Sequence, residues 1–231
     1  YNLTGLKGNS DCEVIFKLID KSISIYEICN KIDGVFAFIY VNSQGHVIAA
    51  RDPIGVRPLY IGMNPDTKLH EFSSELKVID HCINIRHFPP GHYYDSRNGV
   101  FTNYEPIKIP SNPIMEFDEF KLNRLLTEAV KKRLMSDREV GFFLSGGLDS
   151  SIVASIGAKL MHPRKIHTFS VGVRGYESPD LIAAQKVADY LGSEHHVYEF
   201  TLEEAFNTVQ TVIYHLESYD CTTIRASVPM F

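Results

Sequence analysis

The run Ser145-Gly146-Gly147-Leu148-Asp149-Ser150-Ser151 constrains this chain more than any other stretch, because it is wedged between two apolar segments, Val140-Gly141-Phe142-Phe143-Leu144 and Ile152-Val153-Ala154-Ser155-Ile156. A short apolar run that meets paired glycines and then helix-compatible residues predicts a strand, a tight turn and a helix start. Gly146 and Gly147 let the backbone turn and aim successive N–H groups at one point, Ser150 and Ser151 add hydroxyls, and the helix contributes its positive end. Those donors fit a pyrophosphate. The lysine of the Gly-x-x-x-x-Gly-Lys-Ser/Thr phosphate loop is missing, and Asp149 offers instead a hard oxygen ligand suited to a Mg2+ ion bridging phosphates. Taken alone, the pattern also occurs in ordinary βα connections, so the surrounding chain has to decide.

With 231 residues, 44% of them hydrophobic and 22% charged, the chain can build one large domain or two small ones, and two is the expectation. A net charge of -5 without a long basic run argues against a nucleic-acid surface, and Lys131-Lys132-Arg133 falls on a predicted helix where solvated charge explains it. Cys12, Cys29, Cys82 and Cys221 are widely spread and form no Cys-x-x-Cys pair, which predicts free thiols in a cytosolic protein. His195-His196 precede a predicted strand, His81, His87 and His92 are scattered, and none shows metal-ligand spacing, so no zinc site is expected. No stretch approaches the roughly 18 apolar residues that cross a bilayer, and no membrane association is expected. Tyr1 in place of an initiating Met suggests a fragment or a processed product.

Residues 1–114 are rich in short aromatic and β-branched runs, Gly34–Val41 and His46–Ala50, separated by the turn Asn42-Ser43-Gln44-Gly45. A second turn cluster, Asp52-Pro53-Ile54-Gly55-Val56-Arg57-Pro58, leads into Leu59-Tyr60-Ile61-Gly62, so a largely antiparallel, hairpin-rich sheet is expected. Ser10-Asp11-Cys12-Glu13 fits a capping box, with Val14, Ile15, Leu18 and Ile19 at helical spacing, which predicts one helix over a face of that sheet. Pro106, Pro110 and Pro113 punctuate a linker that ends near residue 115. In residues 115–231 the apolar positions Leu122, Leu125, Leu126, Ala129, Val130 and Leu134 mark an amphipathic helix from Asp118. Ile166–Val173 and His196–Phe200 read as strands, Ser178-Pro179-Asp180 starts a helix that Gly192 stops, and Thr201 with Glu204 forms another capping box. Strands alternating with helices predict a doubly wound α/β domain with parallel strands, whose ligands sit beyond the carboxyl ends where the Ser145 loop and Val171-Gly172 lie.

The Ser-Gly-Gly-Leu-Asp-Ser-Ser spelling resembles the loop of the ATP-pyrophosphatase superfamily. Joined to Asp33-Gly34-Val35-Phe36-Ala37-Phe38 and Arg51-Asp52-Pro53-Ile54-Gly55-Val56-Arg57-Pro58-Leu59-Tyr60, it resembles the glutamine-hydrolysing asparagine synthetase family. Three further runs carry the same resemblance: Lys131–Asp137, Glu177-Ser178-Pro179-Asp180-Leu181 and Glu217–Ser227. The resemblance implies an α+β part of an Ntn-type αββα class II glutamine amidotransferase domain in 1–114, followed by an α/β ATP-pyrophosphatase domain in 115–231. It further implies conversion of ATP, L-aspartate and L-glutamine through β-aspartyl-AMP to AMP, diphosphate, L-asparagine and L-glutamate, in a cytoplasmic enzyme and a possible homodimer.

The same resemblance implies residue roles. Asp11 would grip the amino group of glutamine. Leu144 and Val171 would line the nucleotide pocket with their main chains, and Ser145, Gly146, Gly147, Ser150 and Ser151 would hold pyrophosphate. Asp149 would stand near Mg2+ or the intermediate, and Thr222 and Arg225 would lie near that intermediate, where an arginine fork can neutralise carboxylate or phosphate. The family's N-terminal catalytic Cys and its downstream Ser-Gly-Glu-Gly-Ser-Asp-Glu motif do not occur in these 231 residues, so the expectation is a chain shortened at both ends and inactive or partly active alone. Alternative readings are a β-lactam-synthetase-like amide former, which the retained Asp11 and Thr222-Thr223-Ile224-Arg225 oppose, and a non-catalytic remnant that binds nucleotide or a partner. A tRNA-thiolating relative would want paired cysteines and a basic face.

Overall fold

The computed structural model describes residue 8 and residues 11–105 and 117–231, arranged in two compact units, Tyr1–Pro113 and Ile114–Phe231. The proline-punctuated stretch 106–113 lies outside the described residues, as does Ser10, on which the first capping box depends.

In the first unit, helices α1 (Asp11–Asp20) and α2 (Ile25–Lys31) precede strands β1 (Ala37–Val41), β2 (Val47–Arg51), β3 (Tyr60–Met63), β4 (His70–Ser73), β5 (Ile83–His87), β6 (His92–Asp95) and β7 (Val100–Asn103). The strands form two antiparallel sheets, ordered β1-β2-β6-β7 and β4-β3-β5, where the turn signals suggested one and the family resemblance implied two. Helix α2, capped by the Ser24 hydroxyl accepting from the Glu27 N–H at 3.2 Å, was not expected either. Strand β2 shows why two sheets form. Its apolar residues do not alternate with polar ones, so both of its faces have to be covered. Ile48 and Ala50 pack with Leu18, Ile28, Cys29, Phe36 and Tyr104 beneath the helices, while Ala49 points the other way into a core of Leu59, Ile61, Phe88 and Tyr94 between the sheets. The described residues thus stack helix, sheet and sheet.

The turn after β2 is built by buried charge. Arg51 and Asp52 are only 7% and 1% exposed. The Arg51 guanidinium donates to the carbonyls of Arg57 (2.8 Å), Phe88 (2.7 Å) and Gly55 (2.7 Å), and its own carbonyl accepts from the Tyr104 hydroxyl at 2.7 Å. Asp52 accepts from the N–H groups of Gly55 (2.7 Å), Val56 (3.0 Å) and Arg57 (3.1 Å). Burial alone would raise the Asp52 pKa, but these backbone donors outweigh it and hold the carboxyl below its ordinary value. Cys29, Cys82 and Cys221 are free thiols, and burial pushes Cys29 up to about 12.

In the second unit, helix α3 (Glu119–Arg133) leads to strand β8 (Gly141–Phe143), helix α4 (Leu148–Met161), strand β9 (His167–Val173), helix α5 (Pro179–Leu191), strand β10 (Glu194–Phe200) and helices α6 (Leu202–Leu216) and α7 (Cys221–Ser227). Strands β8, β9 and β10 pair in parallel as expected. Their order is sequential, so the reversal that defines a doubly wound sheet does not fall within these three strands. Helices α4 and α5 share one face, where Ala154, Ala184 and Ala188 close over Phe142, Leu144 and Ile166. Asp118 caps α3 by accepting from the Lys121 N–H at 2.9 Å, yet within that helix only Val130 is buried, and Leu122, Leu125 and Leu126 of the predicted apolar stripe stay partly exposed. Gly192 stops α5 in the left-handed region, and the Thr201–Glu204 capping box forms; Ser178 sits at the start of α5 without a side-chain cap bond.

Two predictions follow from this packing. Because the folded Asp52 carboxyl titrates below its unfolded value, its contribution to stability is present above about pH 4 and lost as pH falls through the folded value. Asp52→Asn would face one N–H with an amide donor and should cost about 2 kcal/mol at neutral pH in urea denaturation, with less further loss on acidification than the parent shows. Gly146 has φ +75°, and a Cβ there would meet the Ala183 carbonyl carbon and the Ala184 nitrogen of α5 at 2.5 Å. Gly146→Ala should therefore destabilise the chain by at least about 2 kcal/mol in the same assay. Gly147→Ala, whose Cβ would meet only the Ser145 hydroxyl at 3.4 Å, should cost about 1 kcal/mol or less, the difference between glycine and alanine as an N-cap.

Candidate active site

The parallel pairing of β8 with β9 fixes the Ser145 loop at the carboxyl edge of the sheet. Leu144 continues the ladder by donating its N–H to the Phe169 carbonyl at 2.8 Å, and the chain then turns through Gly146 into α4, with Gly147 as N-cap. The hydroxyls of the loop are knitted together: Ser145 to Ser150 at 3.0 Å, Ser150 to the Gly147 carbonyl at 3.2 Å, and Ser151 to the same carbonyl at 2.6 Å. The first N–H groups of α4 have no partner within a helix of this kind, and they emerge at the loop beside these hydroxyls. Asp149 lies exposed in the first turn. Backbone donors, hydroxyls and one hard carboxylate are the donor set that a magnesium-bound pyrophosphate needs, so these residues fit that group.

Beneath the loop runs a buried polar chain. Ser170, 7% exposed, donates its hydroxyl to the Leu144 carbonyl, the residue immediately before the loop. With that hydrogen used, His195 Nε2 at 3.4 Å from Ser170 Oγ must carry a proton, and Nδ1 then accepts from the fully buried Thr168 hydroxyl at 2.9 Å. Thr168 in turn meets the Ser193 hydroxyl at 2.9 Å. Burial, with a smaller contribution from neighbouring His196, lowers the His195 pKa and so favours the neutral imidazole. Sequence reading placed His195 only as the residue before a strand. Its role in this network depends on pairing with β9, which no local spacing encodes.

Beside the loop opens a cleft of about 1310 Å³ that runs from the first turn of α5 over the sheet edge onto the face away from α4. Phe143, Phe169, Val171 and Tyr198 form an apolar wall, and Ser145, Ser170, Asp180 and Arg225 contribute the polar groups. Phe169 and Tyr198 lie nearly parallel, with ring centroids 6.4 Å apart. The structure thus gathers Leu144, Ser145, Val171 and Arg225 from the expected set around one cavity. Gly146, Gly147, Asp149, Ser150 and Ser151 belong to the loop and the start of α4 rather than to the cavity wall. Thr222 lies exposed in the first turn of α7, where Asp220 caps the helix by accepting from the Thr223 N–H at 2.7 Å. Asp11 is the first residue of α1, and its side chain lies outside the described residues. Asp180 and Tyr198 were absent from the expected set, because their sequence surroundings read only as a helix start and a strand.

A flat aromatic wall, a phosphate-shaped loop and an arginine across a cleft can together hold a planar base, a polyphosphate and a carboxylate. The chain's similarities agree with that chemistry. Residues 121–231 match the asparagine synthase family and residues 2–81 match a glutamine amidotransferase domain. An asparagine synthetase [glutamine-hydrolyzing] of Sandersonia aurantiaca is 44% identical over 98% of this chain and 46% of its own length. A probable asparagine synthetase [glutamine-hydrolyzing] of Schizosaccharomyces pombe is 44% identical over 98% and 45%, and asparagine synthetase [glutamine-hydrolyzing] 2 of Arabidopsis thaliana is 43% identical over 97% and 40%. The chain therefore spans somewhat under half the length of these curated relatives. Two successive domain matches and this identity along nearly all of its residues show that the chain belongs to the glutamine-hydrolysing asparagine synthetase family.

Proposed function

We propose that this chain carries the adenylating half-site of an ATP-dependent carbon–nitrogen ligase that makes L-asparagine from L-aspartate with nitrogen from L-glutamine. The observation that carries the proposal is the Ser145 loop, turned by Gly146 at the open end of α4 and bordered by a cleft with an aromatic wall and Arg225. The relatives' names supply asparagine as product and glutamine as the hydrolysed substrate, and the family resemblance supplies ATP and L-aspartate. In this reading residues 115–231 form an ATP-pyrophosphatase domain whose three parallel strands are one wing of a doubly wound sheet. Residues 1–114 form part of a glutaminase domain of Ntn type, of which the helix–sheet–sheet stack is three of four layers, and Asp11 contacts the glutamine amino group. A cytoplasmic homodimer completes the proposal; no helix among the described residues is long and apolar enough to cross a membrane.

A carboxylate is a poor acyl donor until its oxygen becomes a good leaving group, which is what adenylation achieves. The main chains of Leu144 and Val171 border the base. Ser145, Gly146, Gly147, Ser150 and Ser151 surround the departing pyrophosphate: the backbone N–H groups are set in place before it forms, and the Ser150 and Ser151 hydroxyls turn from the Gly147 carbonyl to donate to it. Arg225 faces charge on the aspartyl carboxylate or α-phosphate, and Thr222 flanks the intermediate. Mg2+, held by Asp149, would neutralise phosphate oxygens. The apolar wall of Phe143, Phe169 and Tyr198 keeps water away from the acyl adenylate. No protein nucleophile is required in this domain.

The test uses Asp149→Asn, an isosteric change at an exposed position. Magnesium-dependent ATP binding to this chain should fall at least about tenfold, and aspartate-dependent pyrophosphate release by a protein of the relatives' full length should fall about a hundredfold or more, with the denaturation midpoint unmoved. Undiminished turnover would remove Asp149 from the assigned role. Binding of ATP by the 231-residue chain without aspartate-dependent pyrophosphate release from the longer protein would favour a nucleotide-binding remnant instead.

A further inference from the structure

The opposite edge of the parallel sheet holds a second group of chemistry-bearing side chains that the ATP reading does not use. Strands β9 and β10 run side by side with Glu194 paired directly to His167. Because alternate strand residues share a face, Glu194 and His196 both stand beside His167. The result is compact: His167 Nδ1 and His196 Nε2 are 3.2 Å apart, and the Glu194 carboxylate oxygens lie 3.9 Å from the first and 3.8 Å from the second. These residues are distant in the sequence, 29 positions separating the two histidines, so spacing gave no hint of a metal site and the expectation of none came from spacing alone.

We propose that His167, His196 and Glu194 form a binding site for Zn2+ or a similar imidazole-preferring transition metal, at the amino-terminal edge of the sheet and separate from the magnesium-binding loop. Two ring nitrogens facing each other at 3.2 Å share a single proton, and a metal ion replaces that proton by taking both lone pairs. In a tetrahedral zinc centre with bonds of about 2.0–2.1 Å, neighbouring donors stand about 3.3 Å apart. The nitrogen pair already has that separation. Rotating the exposed Glu194 side chain brings its oxygen in by the remaining half ångström or so, leaving the fourth position to water. His196 is steadied by stacking on Phe169, with ring centroids 4.9 Å apart and an interplanar angle of 19°. Two imidazoles and a single carboxylate suit zinc, cobalt or nickel and disfavour Mg2+ and Ca2+, which demand mostly oxygen. A second three-donor group, Glu71, His81 and Cys82, is a weaker candidate. Its thiol is buried, its two strongest donors are adjacent in the chain, and Glu71 is already engaged by Asn64 at 2.6 Å and His81 at 2.9 Å.

The metal-free 231-residue chain would be titrated with Co2+ and followed by visible absorption, then challenged with Zn2+ and separately with excess Mg2+. One Co2+ per chain is expected, with d–d bands but no near-ultraviolet thiolate charge-transfer band, displaced by Zn2+ and indifferent to Mg2+. Affinity should fall at least about tenfold in His167→Ala and in His196→Ala. Glu194→Gln, at an exposed position on which no core packing depends, should weaken binding severalfold and settles the matter if a histidine variant fails to fold. Cys82→Ser should bind like the parent. Absence of binding, binding unchanged in Glu194→Gln and the folded histidine variants, or a thiolate band lost in Cys82→Ser would each overturn the proposal. None of these readouts depends on the asparagine-forming reaction.

Discussion

At Gly146 the backbone runs so close to α5 that a single methyl group has no room, and the placement of the Ser145 loop depends on that contact. The left-handed φ reverses the chain after β8, and the missing side chain lets α5 settle against the loop instead of standing off. Small residues extend the same economy of space: Ala154, Ala184 and Ala188 let α4 and α5 approach the sheet, and Phe142 occupies the place where a side chain at Gly157 would go. A helix held this tightly points its N-terminal N–H groups in a fixed direction, and that fixity is what a site gains when it has to receive charge without rearranging.

The first unit solves a comparable problem by the opposite means. Its turn after β2 buries little apolar surface, with Ile54 and Val56 exposed at the tip, so hydrophobic burial cannot hold it. Arg51 and Asp52 turn inward and replace water for the loop's own carbonyls and N–H groups, one satisfying acceptors and the other donors. Charge is buried at acceptable cost because nearly every polar atom on each side chain meets backbone at short distance. Tyr104, from just beyond β7, completes the set by bonding the Arg51 carbonyl.

These two loops differ in how openly the sequence displays them. The Ser145 loop was readable because its chemistry is local: glycines, hydroxyls and a helix start all lie within seven residues. The helices and parallel strands that follow were readable for the same reason, through caps, a stop glycine and apolar runs. The split of the first unit into two sheets came only through the family resemblance and not from the local pattern, because a strand buried on both faces, such as β2, has no alternation to reveal what covers it. The role of Arg51 and Asp52 was hidden likewise, since a turn signal does not say that its charged residues face inward. Asp180 and Tyr198 were missed at the cleft, and Ser170 and Thr168 at the network below it, because each becomes part of the site only when β9 pairs with β8 and β10.

The parallel sheet puts different chemistry on its two faces, and this asymmetry locates the site. Toward α4 and α5 it presents Phe142, Leu144, Thr168 and Ser170, all buried. Toward the other side it presents Phe143, Phe169, Val171 and Tyr198, with His167 and His196 nearer the strand starts. The buried Ser170 hydroxyl joins the two faces at the strand ends, because it holds the Leu144 carbonyl from beneath while also bordering the cleft. His195 supports Ser170 from β10, so the position of the loop's first residue depends on all three strands at once. A change in the β10 register by one residue would exchange His195 with its neighbours on the opposite face. Strand register therefore governs both the support of the loop and the meeting of His167 with His196.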